Sequence, residues 1–76
     1  MKYQVTEREK FVPDYEHKEV YDTYEEAKDR MNEMYRQVAI EGDPEFIEVA
    51  SIWDFFGYVT YTDGNEVSWD IDEIDE

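Results

Sequence analysis

The segment Thr62-Asp63-Gly64-Asn65 is the feature that most restricts which folds this chain can adopt. Asp-Gly between two apolar segments favours a tight hairpin turn, because glycine adopts a positive φ without a steric penalty. We therefore predict two antiparallel strands, residues 55–61 and 66–71. Alternation in the second strand predicts an inward row of Val67, Trp69 and Ile71 and an outward row of Glu66, Ser68 and Asp70.

Residues 23–41 have the pattern of one amphipathic helix. Thr23 and Glu26 form a capping box, and Gly42 followed by Pro44 ends the helical pattern. Apolar residues recur at helical spacing along one stripe, which we interpret as core. The stripe consists of Tyr24, Ala27, Met31, Met34, Tyr35 and Val38.

The remaining segments favour strands. Residues 2–8 and 46–53 alternate apolar and polar side chains, and residues 18–21 form a short strand that pairs back onto the first. Pro13 lacks a backbone donor, so residues 9–17 are expected to be a turn or an irregular edge. We predict an α+β fold with one helix packed on an antiparallel sheet, in the order β-β-α-β-β-β. The 76 residues form a single domain, 1–76, with a frayed acidic end at 72–76 from which Ile74 folds back onto the protein.

Charge is distributed unevenly along the chain. The net charge is −15, all seven lysines and arginines lie within residues 1–40, and residues 41–76 contain twelve acids. Such an excess disfavours direct nucleic-acid binding, which requires a basic surface, and favours a basic protein partner. A merely solvated acidic surface is the alternative. The chain contains no apolar run of transmembrane length and no basic amphipathic helix, so we expect a cytoplasmic protein without membrane contact.

Catalytic and metal-binding patterns are weak. There is no cysteine, the single His17 stands among polar residues, and Ser51 and Ser68 have no identifiable base. Asp54, within an apolar run, is the best candidate for an acid–base residue, although a turn role is favoured. The acids of 70–76 lack the calcium-loop pattern. We therefore expect no enzymatic activity, no cofactor and no dedicated metal site.

The segment Val20-Tyr21-Asp22-Thr23-Tyr24-Glu25-Glu26-Ala27 is similar to a strand-to-helix junction of small phage and mobile-element proteins. In size, acidity and inferred fold, the chain resembles the phage-encoded inhibitors that mimic DNA. These are the anti-CRISPR proteins, the anti-restriction proteins and the uracil-DNA glycosylase inhibitors. The resemblance implies a viral protein in the host cytoplasm that inhibits a CRISPR effector, a restriction enzyme or a DNA glycosylase.

The acidic residues of the second half are the predicted partner-binding set for such an inhibitor. They are Glu48, Asp54, Asp63, Glu66, Asp70, Asp72, Glu73 and Asp75. The alternative is a small interaction module or homodimer that binds without mimicry. It would use an apolar patch around Trp53, Phe55, Phe56 and Tyr58.

Overall fold

The computed structural model describes residues 1–75, which form one five-stranded antiparallel sheet with a single α-helix packed on it. The predicted fold class and element order are confirmed. The strands occur in the sheet in the order β2-β1-β5-β4-β3, so the first and last strands are central neighbours. The elements are β1 (Lys2–Glu9), β2 (Val12–Tyr21), α1 (Tyr24–Ala39), β3 (Ile47–Ile52), β4 (Phe56–Tyr61) and β5 (Glu66–Ile74).

Helix α1 begins at the predicted N-cap residue, Thr23, whose side chain contacts both the backbone and the side chain of Glu26. The backbone N–H of Glu26 donates to Thr23 Oγ1 (3.2 Å), and the Thr23 hydroxyl donates to Glu26 Oε1 (3.0 Å). Near its other end, a Cβ on Gly42 would lie 2.4 Å from the Val38 carbonyl oxygen, so only glycine fits where the chain leaves the helix. The helix is therefore fixed at both ends by residues visible in the sequence.

The core lies between α1 and one face of the sheet. The helix contributes Ala27, Met31 and Met34, which confirms that the apolar stripe is core. Trp69 is the largest fully buried side chain, and its indole Nε1–H donates to Glu7 Oε2 at 2.6 Å, so its polar atom is satisfied. The sheet side of the core is completed by Val5, Val59 and Ile71.

A second contact between helix and sheet is an ion pair. Glu19 on β2 accepts hydrogen bonds from Arg30 Nε (2.9 Å) and Nη2 (3.2 Å). This two-point contact fixes α1 to the outer strand β2, beyond the edge of the apolar core. The Arg30 guanidinium lowers the pKa of Glu19 to about 2.

The turn between β4 and β5 has the expected form. Gly64 has a φ of 93°, its N–H donates to the Tyr61 carbonyl (3.0 Å), and the Tyr61 N–H donates to the Asn65 carbonyl (2.8 Å). The side chain of Asp63 accepts from the Asn65 N–H at 2.9 Å. The predicted hairpin turn is confirmed.

Two strand boundaries were wrong. Strand β2 begins at Val12 rather than at residue 18, because it is an edge strand and Pro13 lies where the pairing with β1 shifts register between Arg8 and Glu9. Strand β5 continues to Ile74 instead of fraying after residue 71, since Lys2 to Glu9 pair with it along its length. Of the acidic end 72–76, Glu76 lies outside the described residues.

No helix within residues 1–75 combines the length and the hydropathy needed to cross a lipid bilayer.

Candidate functional site

Helix α1 covers one face of the sheet and leaves the other face, here called the open face, without a second layer. Alternation along β5 places Trp69 and Ile71 beneath the helix and places Ser68, Asp70 and Asp72 on the open face. Cross-strand pairing then assigns the neighbouring strands, because Phe56 lies opposite Asp70 and Tyr58 lies opposite Ser68. The open face is thus a sheet surface that no helix or strand of residues 1–75 covers.

Three aromatic rings form a cluster at one side of the open face, which we call the aromatic stack. The Trp53 ring lies 6.0 Å from that of Phe56 and 5.7 Å from that of Tyr58, both in stacked geometry. Phe56 and Tyr58 are 6.0 Å apart. Trp53 is 53% exposed and Phe56 is 40% exposed. The stack is therefore preformed on the surface, with its Trp53 and Phe56 side chains partly exposed to solvent.

Two carboxylates lie beside the aromatic stack. Asp70 Oδ2 accepts a hydrogen bond from Arg8 Nη1 at 2.9 Å, whereas Asp70 Oδ1 is buried and has no donor among residues 1–75. Burial raises the pKa of Asp70, and the neighbouring Asp72 carboxylate raises it further, against the lowering effect of Arg8. Asp72 is exposed. We call Asp70 and Asp72 the carboxylate pair.

The opposite side of the open face carries mixed charge. Arg8 Nη2 also pairs with Glu16 Oε2 (3.1 Å), and Lys18 pairs with Glu16 Oε1 (3.0 Å). At the end of this side, Lys2 pairs with Asp22 (3.2 Å). Strands β1 and β2 thus neutralise much of their own charge.

Strands β3, β4 and β5 contain no basic residue and are adjacent in the sheet. The uneven distribution of charge along the sequence therefore places all the basic residues outside one half of the sheet. We call this half, formed by residues 47–74, the base-free half. Arg8, reaching across from β1, is the cation that pairs with an acid of this half among the described residues.

The predicted partner-binding residues do not all share one surface. Asp70 and Asp72 lie on the open face, and alternation places the half-buried Glu66 there as well. The others lie at the ends and edges of the sheet or on its other face. Glu48 is in the β3 bulge, Asp54 in the β3–β4 loop, Asp63 in the β4–β5 turn, Glu73 opposite Tyr3 on the helix side, and Asp75 beyond β5.

The predicted apolar patch is only partly assembled. Trp53, Phe56 and Tyr58 come together, but Phe55 turns away and packs against Tyr24, with ring centroids 5.1 Å apart. The tyrosine in turn donates its hydroxyl hydrogen to the Asp54 carbonyl at 2.6 Å. Phe55 therefore anchors the β3–β4 loop to the helix instead of joining the stack.

The candidate catalytic residues stand apart from one another. The Asp54 side chain is exposed in its loop, and His17 Nε2 lies 2.6 Å from Glu19 Oε2 on the helix side of β2. Ser51 and Ser68 lie on either side of Tyr58 in the sheet. Among residues 1–75, no group of three histidines, cysteines or acids has the geometry to hold a metal ion.

An open depression of about 270 Å³ lies at the mixed-charge end of the face. Its lining consists of Arg8, Glu9, Lys10, Pro13, Glu66 and Ser68. The alternation of cations and anions around it gives no preference for a ligand of either sign.

The chain matched no protein-family model, no curated protein and no solved structure. Function is therefore inferred from the geometry and charge of the open face and the base-free half.

Proposed function

We propose that the protein is a non-enzymatic inhibitor that binds a basic nucleic-acid-binding protein by acting as an acidic mimic of DNA. The observation that carries this proposal is the base-free half. Three adjacent strands without a lysine or arginine present their carboxylates to a partner, and among the described residues Arg8 alone forms an ion pair with one of these acids. A host-defence protein such as a CRISPR effector, a restriction enzyme or a DNA glycosylase has the basic groove that such a surface would occupy.

The density of charge supports mimicry. The described residues carry −14, since Glu76 accounts for the remaining charge of the −15, and they extend over 40 × 24 × 15 Å. Dividing the 40 Å length among 14 charges gives one charge per about 2.9 Å. Duplex DNA has one per about 1.7 Å and each of its strands one per about 3.4 Å. The value for the whole molecule falls between the two, which supports competition for a groove that binds nucleic acid.

Binding driven by this surface should depend steeply on salt. Electrostatic attraction speeds association at low ionic strength. At 0.1 M salt, attraction between exposed charges more than about 10 Å apart is largely screened. A pull-down from a bacterial lysate, washed at low and at high salt, would capture the partner. Release of that partner by added duplex DNA is the decisive observation, because a mimic and DNA must compete for one groove.

A pair of charge-reversal variants tests which surface binds. Lysine at Glu48, Asp54 and Asp72 changes three exposed acids in and around the base-free half. Lysine at Glu25, Asp29 and Glu41 makes the same change in net charge on the helix side and at its end. The first variant should lose the partner and the second should retain it. Equal retention by both would refute mimicry through the base-free half.

The aromatic stack favours a second candidate function, a small interaction module or homodimer without mimicry. Exposed aromatic residues are enriched at protein interfaces. Light scattering would detect a dimer, and a partner held through apolar contacts would remain bound at high salt. A partner that stays bound both in high salt and in the presence of added duplex DNA would favour this second function.

A further inference from the structure

The aromatic stack and the carboxylate pair are direct neighbours on the open face. Phe56 of β4 and Asp70 of β5 are cross-strand partners, and Asp72 follows two residues further along the same face. We propose that the two together form a binding site for an arginine side chain presented by a basic partner protein. This inference rests on the proposed function and gives it a defined point of attachment.

The aromatic side of the site offers ring faces to a cation. A guanidinium above the face of tryptophan, tyrosine or phenylalanine is attracted by the ring quadrupole, most strongly by tryptophan. Trp53 is the most exposed ring of the stack and is held in place by its two stacked neighbours. A preformed platform of this kind loses little side-chain entropy when a ligand binds.

The carboxylate side of the site is short of positive charge. Arg8 pairs with one oxygen of Asp70 and is shared with Glu16, whereas Asp72 has no cationic partner among residues 1–75. Two carboxylates side by side repel each other, which agrees with the raised pKa of Asp70. A second cation, arriving at the exposed Asp72, would relieve this repulsion.

Arginine fits this combination better than lysine does. Its planar guanidinium stacks on a ring and at the same time donates a fork of hydrogen bonds to a carboxylate. A second copy of the chain is disfavoured as the occupant, because two molecules with a net charge of −15 each repel one another. Charge complementarity therefore selects a basic partner for the same face.

Titration of the isotope-labelled protein with a nona-arginine peptide at low salt tests the site. The indole signal of Trp53 should shift, as should the backbone signals of Phe56, Asp70 and Asp72. The indole signal of the buried Trp69 serves as an internal control and should not move. A nona-lysine peptide of equal charge should bind more weakly.

Two variants and a matched control give the test its specificity. Trp53→Ala should weaken nona-arginine binding about 2- to 30-fold, the range of a cation–π contact. Asp70→Asn with Asp72→Asn should weaken it more than Glu25→Gln with Asp29→Asn, which removes the same charge from the exposed surface of α1. Thermal melts of all variants check that the fold is retained.

The outcomes separate this inference from the proposed function. Equal weakening by the open-face and helix variants, or no effect of Trp53→Ala, would overturn the arginine site and leave a diffuse acidic surface intact. Failure of the wild-type protein to bind nona-arginine at low salt would also overturn the site. The proposed inhibitor function is decided independently, by whether DNA releases the partner captured from a lysate.

Discussion

Replacing Glu19 with glutamine removes the ion pair that fixes α1 to the edge strand β2. Arg30 donates two hydrogen bonds to this carboxylate, and Tyr21 donates a third. These contacts, the arginine first, lower the pKa of Glu19 from 4.5 to about 2. Glutamine has nearly the same shape, so the change isolates the charge.

The lowered pKa sets the scale of what the contacts of the Glu19 carboxylate, with Arg30 the largest, contribute together to stability. A difference of about 2.5 pKa units, at 1.36 kcal/mol per unit, corresponds to about 3 kcal/mol. The side chain is 24% exposed, so solvent screening reduces the expected contribution to about 1–2 kcal/mol. We expect Glu19→Gln to lower the free energy of unfolding by that amount near neutral pH. The Tm should fall by about 4–8 °C for each kcal/mol lost.

The sign of the pH dependence follows from the direction of the shift. The pKa in the folded state is lower than that in the unfolded state, so the stabilisation is complete above about pH 4.5 and disappears as the pH falls towards about 2. Urea unfolding of both proteins across this range measures the difference. Subtraction cancels the relief of acidic self-repulsion, which occurs in both proteins as the other carboxylates become protonated.

A constant difference between the two proteins from neutral to strongly acidic pH would refute the reasoning, as would no difference at neutral pH. A double-mutant cycle with Arg30→Gln provides the control, since the coupling energy should be about 1–2 kcal/mol at neutral pH and close to zero at the acidic end.

Three further changes test elements of the fold by urea unfolding. Thr23→Ala removes the acceptor for the Glu26 N–H and should cost about 1 kcal/mol, with reduced helical circular dichroism; no loss would mean that the cap is not used. Gly64→Ala introduces a side chain at a φ of 93° and should cost about 1–2 kcal/mol; a neutral result would show that the turn relaxes. Met31→Ala leaves a cavity beneath α1 and should cost about 2–5 kcal/mol; a value below about 1 kcal/mol would mean that the core collapses around it.

The features predicted well from the sequence are those that short-range chemistry determines. The helix cap at Thr23, the glycine of the β4–β5 turn and the buried row around Trp69 all depend on spacings of a few residues. Of the two alternatives predicted for residues 9–17, the irregular edge is correct and the turn is wrong, and the choice depends on which strand is the neighbour of β2. Strand order is a long-range property that hydrophobic alternation does not contain.

The candidate site was predictable in its components but not in its arrangement. Trp53, Phe56 and Tyr58 were recognised as a patch, and Asp70 and Asp72 as partner-binding acids. The two sets are neighbours because β4 pairs with β5, and the predicted hairpin turn between these strands could have indicated that pairing. The ion pair of Asp70 with Arg8, 62 residues away, depends on the pairing of β1 with β5, for which the sequence carries no comparable signal.

The central position of β5 also has a consequence for how the chain folds. Strands β1 with β2 and β3 with β4 are hairpins that can form from local contacts, but β5 must insert between them before one sheet exists. Pairing of Lys2 with Ile74 closes a loop almost as long as the domain, which slows folding. On the ribosome, the two hairpins are synthesised before the strand that joins them, and until residues 66–74 emerge the inner edges of β1 and β4 are exposed to other chains.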